Sequence, residues 1–241
     1  MLKSISIFIP VHNEEGTLYN VVKGVQDYLD GRRIQYEIII LNDASCDSSL
    51  NIMKDLSGQS PNVRYLHFPR RQGLGNMMKK GYELATKEWI AMVSADGQFE
   101  PEHFNCYLKY VDTFDIIAGN RVDRCKFYSL SRIIVSKVLN YIARYIFRIP
   151  IHDVGWTKIV KKNVLRKINL KRTGAIVELE LVVKSILYRF SIHEVAVPYA
   201  PRYSGRSKCF NLRILILSSI SLVALYFEVV WIIFKRWQKN I

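Results

Sequence analysis

Cysteine is scarce in this chain, and the little there is does not pair. Cys46, Cys106, Cys125 and Cys209 show no C-x-x-C spacing. Its absence argues against a zinc ribbon or a disulfide framework, and the four residues read as reduced thiols in a cytosolic domain. Acidic residues are also few: 21 Asp and Glu stand against 35 Lys and Arg, a formal net charge of +14. A surplus this large points to a polyanion, whether nucleic acid, an anionic membrane face or phosphorylated substrates. No nucleic-acid recognition motif accompanies the charge, so nucleic acid is not the expected partner. Internal repeats and low-complexity linkers are absent from the sequence. The first apolar run ends at His12-Asn13-Glu14-Glu15, too short and too polar at its end for a signal peptide. A hydrophobic content of 49% excludes a disordered basic tail.

What is present is a core. With 241 residues the chain can form one sizeable domain plus an appendage. Ile5 to Val11 is an apolar strand, and Leu18, Val21, Val22, Val25 and Leu29 then recur at helical spacing. Tyr36 to Leu41 and Val63 to Phe68 read as strands, with a short helix between them that Asp47 or Ser48 can cap. Gly75 to Ala85 reads as helix, Trp89 to Val93 as a fourth strand and Asp115 to Ala118 as a fifth. This alternation predicts an α/β fold with a mainly parallel sheet and right-handed crossovers. A dinucleotide-dependent dehydrogenase is disfavoured, because strand 1 runs into His-Asn-Glu-Glu and not into a glycine-rich phosphate turn.

Three strand ends carry polar groups: Pro10-Val11-His12-Asn13-Glu14-Glu15, Asn42-Asp43-Ala44-Ser45-Cys46-Asp47 and Ser94-Ala95-Asp96-Gly97-Gln98. In an open α/β sheet they converge on the carboxyl edge, where such sheets bind ligands. Asp96 and the Gln98 amide can both face one hard cation, and Mg²⁺ or Mn²⁺ prefers oxygen ligands and often bridges to phosphates. Pro101 can open the helix that follows. A carboxylate such as Asp43 can accept hydrogen bonds from a nucleotide base or ribose. Gly73-Leu74-Gly75 offers a close-approach turn at a positive helix N-terminus.

In this order and spacing the motifs resemble those of glycosyltransferase family 2, which has the GT-A fold, and within it the dolichyl-phosphate mannose synthase and bacterial polyprenyl-phosphate sugar transferase group. The resemblance runs from about Ser4 to Lys208. It includes Gly73-Leu74-Gly75-Asn76, Asn120-Arg121, Arg132-x-x-x-Ser136, Asp153-Val154-Gly155-Trp156 and Arg202-Tyr203-Ser204-Gly205-Arg206-Ser207-Lys208. It implies that Pro10, His12, Glu14, Asp43 and Gly73 line the donor nucleotide pocket. Asp96 and Gln98 would bind Mg²⁺ or Mn²⁺ with the diphosphate. Arg121, Arg132, Ser136, Arg202 and Lys208 would hold the acceptor phosphate and the sugar-bearing phosphates, and Asp153 would sit beside the donor sugar. The catalytic set is then Asp96, Asp153 and Arg121. The family usually has Asp-x-Asp where this chain has Ser94, a poorer ligand for a hard cation. The implied reaction is inverting transfer of a sugar from a GDP- or UDP-sugar to a polyprenyl or dolichyl phosphate. A saccharide or glycolipid hydroxyl is the alternative acceptor, with Glu178 or Glu180 as its base. A non-catalytic sugar-nucleotide sensor is a third reading.

Leu212 to Phe234 is nearly all apolar. At ~1.5 Å per residue it would be roughly 34 Å long, enough for a bilayer core of about 30 Å. Trp231 and Trp237 can mark an interface, and Lys235, Arg236 and Lys239 can anchor the end. Glu228 inside it is costly unless protonated, paired or near an interface. The expected organisation is a transferase domain over 1–208, a membrane-spanning or membrane-embedded helix over 212–234 and a basic tail over 235–241. A basic amphipathic helix about 130–147 would lie at the membrane surface, with Arg132, Ser136, Lys137, Asn140 and Arg144 on one side. Its other side would carry Ile134, Val135, Val138, Leu139, Tyr141, Ile142, Tyr145 and Ile146. The expected location is a membrane, with the domain facing the cytoplasm where nucleotide sugars are found. Oligomeric state is left open.

Overall fold

The computed structural model describes residues 2–122, 137, 140, 141, 143–174, 176–198 and 212–239, with side chains of the last stretch described over 217–238. Arg132, Ser136, Arg202 and Lys208 lie outside the described residues, as does most of 130–147.

The first half alternates as the sequence predicts: β1 (Ser4–Val11), α1 (Leu18–Gly31), β2 (Gln35–Asp43), α2 (Ser49–Gln59), β3 (Val63–Phe68), α3 (Leu74–Leu84) and β4 (Trp89–Met92). Pro101 opens a single 3₁₀ turn, Pro101–His103, which runs into α4 (Phe104–Leu108). Then come β5 (Ile116–Arg121), β6 (Lys158–Lys161), α5 (Lys162–Lys167), α6 (Ile176–Leu187), β7 (Ile192–Val197) and α7 (Leu212–Lys239).

The seven strands form one sheet in the order β3-β2-β1-β4-β6-β5-β7. The β1–β2, β2–β3, β1–β4 and β5–β7 pairs are parallel, whereas β6 is antiparallel to both neighbours. The chain moves outward from β1 to β3 and then returns to the far side of β1 with β4. That reversal between β1 and β4 is the switch point where such sheets open a crevice.

Both faces of the sheet are covered, so its central strands are largely apolar. Ile5, Ile7, Ile9, Ile38 and Ile40 face a core shared with Val22, Val25, Met53 and Phe104. Phe8, Ile39, Leu41, Ile90 and Val160 face the other way, onto Met77, Met78, Tyr82, Val177 and Leu181. A third cluster joins Ala118, Ala143, Ile149, Ile151, Leu179, Val182, Val183, Leu225 and Val229, and so ties α7 to α6 and to the helical residues at 143–147.

Two local expectations change and one is refined. Strand β5 runs past Ala118 to Arg121, because Gly119-Asn120-Arg121 pairs with Val195, Ala196 and Val197 of β7. At α2 the N-cap residue is Ser48, but Asp47 Oδ1 accepts the Ser49 N–H at 3.0 Å. In the 140–147 stretch Asn140 turns inward and its Oδ1 accepts the Val154 N–H at 3.2 Å, while Tyr141, Tyr145 and Ile146 face outward. The polar side expected at Asn140 is therefore partly an inner side, since a side-chain amide can satisfy a loop N–H that an alkyl group would leave stranded.

Candidate active site

The loops after β1 and β2 are stitched to each other by short polar side chains. His12 Nδ1 lies 2.9 Å from Asp43 O. Asn13 N–H donates to Ser45 Oγ at 3.1 Å, and Asn13 Oδ1 accepts the Cys46 N–H at 2.9 Å. Glu14 N–H donates to Ser49 Oγ at 3.0 Å, and Glu15 N–H donates to Asp47 Oδ2 at 3.1 Å. Burial would raise the Asp47 pKa, but bonds from the Ser49 hydroxyl, the Ser49 N–H and the Glu15 N–H outweigh it, and the carboxyl sits below its usual value. Asn13 and Ala44 both have positive φ, at 55° and 53°. Asn tolerates that region through local hydrogen bonds, whereas Ala44 is strained there.

Asp43 extends the same wall toward α3. Its Oδ1 accepts the Gln72 N–H at 2.6 Å, its Oδ2 accepts the Gly73 N–H at 3.1 Å, and Arg71 Nε lies 3.2 Å from Oδ2. This buried carboxylate holds the turn into α3. Gly73 takes φ 81°, a conformation that favours glycine, and caps α3. Gly75 has a different task from the one its motif suggests: a Cβ there would lie 2.2 Å from the Gly174 backbone nitrogen. Its close approach is to the turn before α6.

After β4 the chain turns at Gly97, with φ 74°, and buries Asp96 and Gln98. Gln98 N–H donates to Asp96 Oδ1 at 3.2 Å. Thr17, at the N-cap of α1, donates its hydroxyl to Ala95 O at 2.7 Å and so fixes this turn against the end of β1. No group of three or more His, Cys, Asp or Glu side chains suited to a metal occurs among the described residues. The donor set of one carboxylate and one amide fits a hard, oxygen-seeking cation that brings diphosphate and water oxygens with it, as Mg²⁺ does. It does not fit an all-protein cage.

The far wall is built from charge. Arg121, at the end of β5, makes a fork with Asp153: Nε to Oδ2 is 2.6 Å and Nη2 to Oδ1 is 2.9 Å. The Asp153 side chain is 1% exposed, so each partner screens a charge that would otherwise be stranded. The guanidinium lies 4.9 Å over Trp156. Glu194 of β7 accepts the His152 N–H at 2.5 Å and the Asp153 N–H at 3.1 Å, and pairs with His152 Nδ1 at 2.7 Å. Lys158, fully enclosed, donates to Val154 O at 2.5 Å, Trp156 O at 2.9 Å and Glu178 Oε2 at 2.5 Å. Tyr107 donates to Thr157 O at 3.1 Å, and burial pushes its pKa well above the usual value.

The structure thus brings His12, Glu14, Asp43, Gly73, Asp96, Gln98, Arg121 and Asp153 to the carboxyl ends of β1, β2, β4 and β5 and the turns next to them, with Pro10 inside β1. Lys158 and Glu194 were missed, since a lysine in an apolar strand and a glutamate in Ile-His-Glu-Val carry no motif. Glu178 and Glu180 are committed elsewhere. Glu178 faces Lys158, and Glu180 accepts the Lys171 and Arg172 N–H groups at 2.9 and 2.8 Å and Lys184 Nζ at 2.6 Å. A separate cavity of about 360 Å³, lined by Thr86, Lys87, Glu88, Lys161, Lys162, Asn163 and Arg166, lies at the amino end of β4, away from these groups.

The family model for glycosyl transferase family 2 matches residues 6–192. A dolichol-phosphate mannosyltransferase of Pyrococcus furiosus is 24% identical over 214 residues, covering 85% of this chain and 58% of that protein. A dolichyl-phosphate β-glucosyltransferase of Dictyostelium discoideum is 29% identical over 108 residues, covering 42% of this chain and 33% of that protein. The chain therefore spans 33–58% of the length of the curated relatives it matches. Glucosyl-3-phosphoglycerate synthase from Mycobacterium tuberculosis, solved with Mn²⁺, UDP-glucose and phosphoglyceric acid, superposes with a TM-score of 0.69 at 17% identity, over 94% of this chain and 79% of that one. That likeness establishes the shared GT-A fold.

Proposed function

The chain belongs to glycosyltransferase family 2, and from that premise we propose that it transfers a sugar, with inversion, from a nucleotide-sugar donor to a polyprenyl or dolichyl phosphate at the cytoplasmic face of a membrane. The observation that carries the reading is the convergence of the β1, β2 and β4 loops beside the sheet's switch point, with Asp96 and Gln98 buried there. The acceptor class is supported by the dolichol-phosphate relative that matches 85% of the chain. It is also supported by the state of Glu178 and Glu180, whose bonds leave neither placed as the base that a sugar hydroxyl would need.

In this reading Pro10, His12, Glu14 and Asp43 wall the nucleotide, and the Gly73 turn presents the N-terminus of α3. Asp96 and Gln98 would hold Mg²⁺ or Mn²⁺, which supplies Lewis-acid charge to the leaving diphosphate when bound. Arg121 fixes Asp153 beside the donor sugar and adds positive charge there. Arg132, Ser136, Arg202 and Lys208 are proposed to hold the acceptor phosphate. A phosphate monoester has a second pKa of about 6, so its dianion attacks the anomeric carbon near neutral pH without a strong general base.

The test is a donor screen on membranes containing the protein, offering labelled UDP- and GDP-sugars with undecaprenyl or dolichyl phosphate, with Mg²⁺, Mn²⁺ or EDTA. The expected result is label in the organic phase that EDTA abolishes. Transfer to free saccharides alone would move the acceptor to a hydroxyl, and donor binding without any turnover would make the protein a sensor.

A further inference from the structure

Helix α7 has two faces of opposite character. Leu222, Leu225 and Val229 pack into the cluster that holds Ile176, Leu179, Val182 and Val183 of α6. Beside them Glu228 meets Arg172 at 2.5 Å, Lys184 at 3.0 Å and Lys171 at 3.1 Å. Farther along, Arg236 donates to Leu187 O, and its guanidinium lies 4.9 Å over Tyr188. The docked stripe therefore runs from residue 222 to 236, about 21 Å of helix at ~1.5 Å per residue. Around the rest of the circumference Ile220, Val223, Phe227, Val230, Trp231 and Phe234 are 43–64% exposed. By length and composition Leu217–Gln238 would suffice to cross a membrane, and with only 6% of its most apolar window buried it is not a helix enclosed in the core.

We propose that α7 lies flat in one leaflet of an anionic membrane, with the domain attached along its length, and does not cross the bilayer. This rests on the lipid-phosphate reading above and specifies how that site meets its lipid. A crossing helix docked as observed would carry Lys171, Arg172, Lys184 and the adjoining end of α6 into hydrocarbon, where charged groups are expensive. A flat helix keeps those groups on the domain side and gives its apolar arc to the acyl chains, about 5–10 Å deep.

Lipid is the occupant favoured over a second copy by charge and by what borders the face. Lys235 sits 5.0 Å over Trp231, at the end of the apolar arc, in a chain of net charge +14. Two copies joined through this face would bring like charge together, whereas an anionic leaflet neutralises it. On the neighbouring helical turn Tyr141 and Tyr145 stack at 6.1 Å and are 70% and 77% exposed. Ala143 and Phe147 of that turn belong to the same cluster as Leu225 and Val229. Tyr and Trp rings suit the headgroup level, apolar in body and polar at the tip.

The experiment uses the full chain in sealed cell membranes, retaining exposed Cys46 as the marker of the domain's side. The other cysteines are replaced (Cys106→Ser, Cys125→Ser, Cys209→Ser) and Gln238→Cys is added. A membrane-impermeant maleimide should label positions 46 and 238 from the same side. Labelling of 238 only from the opposite side overturns the flat placement while leaving the membrane reading intact. Trp89 and Trp156 are buried, so brominated lipid in phosphatidylglycerol–phosphatidylethanolamine vesicles should quench Trp231 and Trp237. Phe227→Glu, at an exposed position, should weaken vesicle binding at least about tenfold, the effect of moving one charge into the interface, with nucleotide binding retained. Folded protein that shows no quenching overturns both readings, and a concentration-dependent dimer in that sample assigns the face to a second copy.

Discussion

The two walls of the candidate site are held by different kinds of bond. The proposed donor side, from the β1, β2 and β4 loops, is held by many separate bonds, some neutral through Asn13, Thr17, Ser45 and Ser49 and some from backbone N–H groups to the carboxylates of Asp43 and Asp47. The opposite side, from residues 152–158, is held by enclosed charge: Arg121 with Asp153, Lys158 with Glu178, and Glu194 against the 152–153 backbone. Neutral bonds contribute about 0.5–1.5 kcal/mol each, and losing one is tolerable. A buried ion pair adds little net stability while intact, but removing one partner strands the other at about 3–5 kcal/mol. The first wall is redundant and the second is brittle.

Lys158→Met and Thr17→Val test that contrast directly, Gly75→Ala with its control Gly58→Ala tests the packing beside it, and Asp96→Ala and Ser94→Asp address the metal site. Lys158→Met should have the largest effect, about 3–5 kcal/mol of stability, because it strands Glu178 and releases two loop carbonyls. Thermal denaturation would show it as a fall of about 10 °C, at roughly 2–4 °C per kcal/mol for a domain this size. A fall under 2 °C would mean that the 152–158 wall does not depend on enclosed charge. Asp96→Ala should leave melting nearly unchanged and lower transfer by about 10²–10³-fold, the usual loss when a charge-stabilising group leaves an active site; initial rates at saturating donor measure it. Gly75→Ala should cost about 1–3 kcal/mol, as overpacking does, since the new Cβ has backbone in its way. Gly58→Ala, in open space, is the control and should be neutral or stabilising by up to about 1 kcal/mol. Ser94→Asp should lower the Mn²⁺ concentration for half-maximal activity by about tenfold, because a second carboxylate raises affinity for a hard cation. Thr17→Val should cost only about 1 kcal/mol in denaturant unfolding, the smallest loss of stability in the series.

The same contrast explains what could be read from the sequence. The first wall lies within the first hundred residues, where β1, β2 and β4 each deliver a short polar motif at their ends, so β1 to β4 and the positions of His12, Asp43 and Asp96 were legible. Glycines were only half legible: Gly73 serves the turn, but nothing local shows that Gly75 must meet Gly174, 99 positions later. The other wall depends on partners 20 to 42 residues apart, such as Lys158 with Glu178 and His152 with Glu194. Helix α6 was illegible for a related reason. Glu178, Glu180 and Lys184 mark a solvated face by composition, and the fold buries all three. The antiparallel direction of β6 had no local signal either, since its four residues pair equally well both ways. The apolar tail was visible at once, but Glu228 stood out in it as an anomaly, and only Arg172, Lys184 and Lys171 explain it.

The reversal of β6 also bears on how such an enzyme can change over evolutionary time. Because β6 runs against β4 and β5, the 152–157 loop enters the crevice ahead of a strand, whereas the loops of β1, β2 and β4 leave strands behind them. Its length and composition can be edited without shifting the register of β1 to β4, provided that Lys158 keeps its anchorage. In the proposed reading, the contacts around the donor sugar can therefore diversify while the wall built from β1, β2 and β4 is inherited unchanged, which makes the sheet a platform on which one part of the specificity is interchangeable.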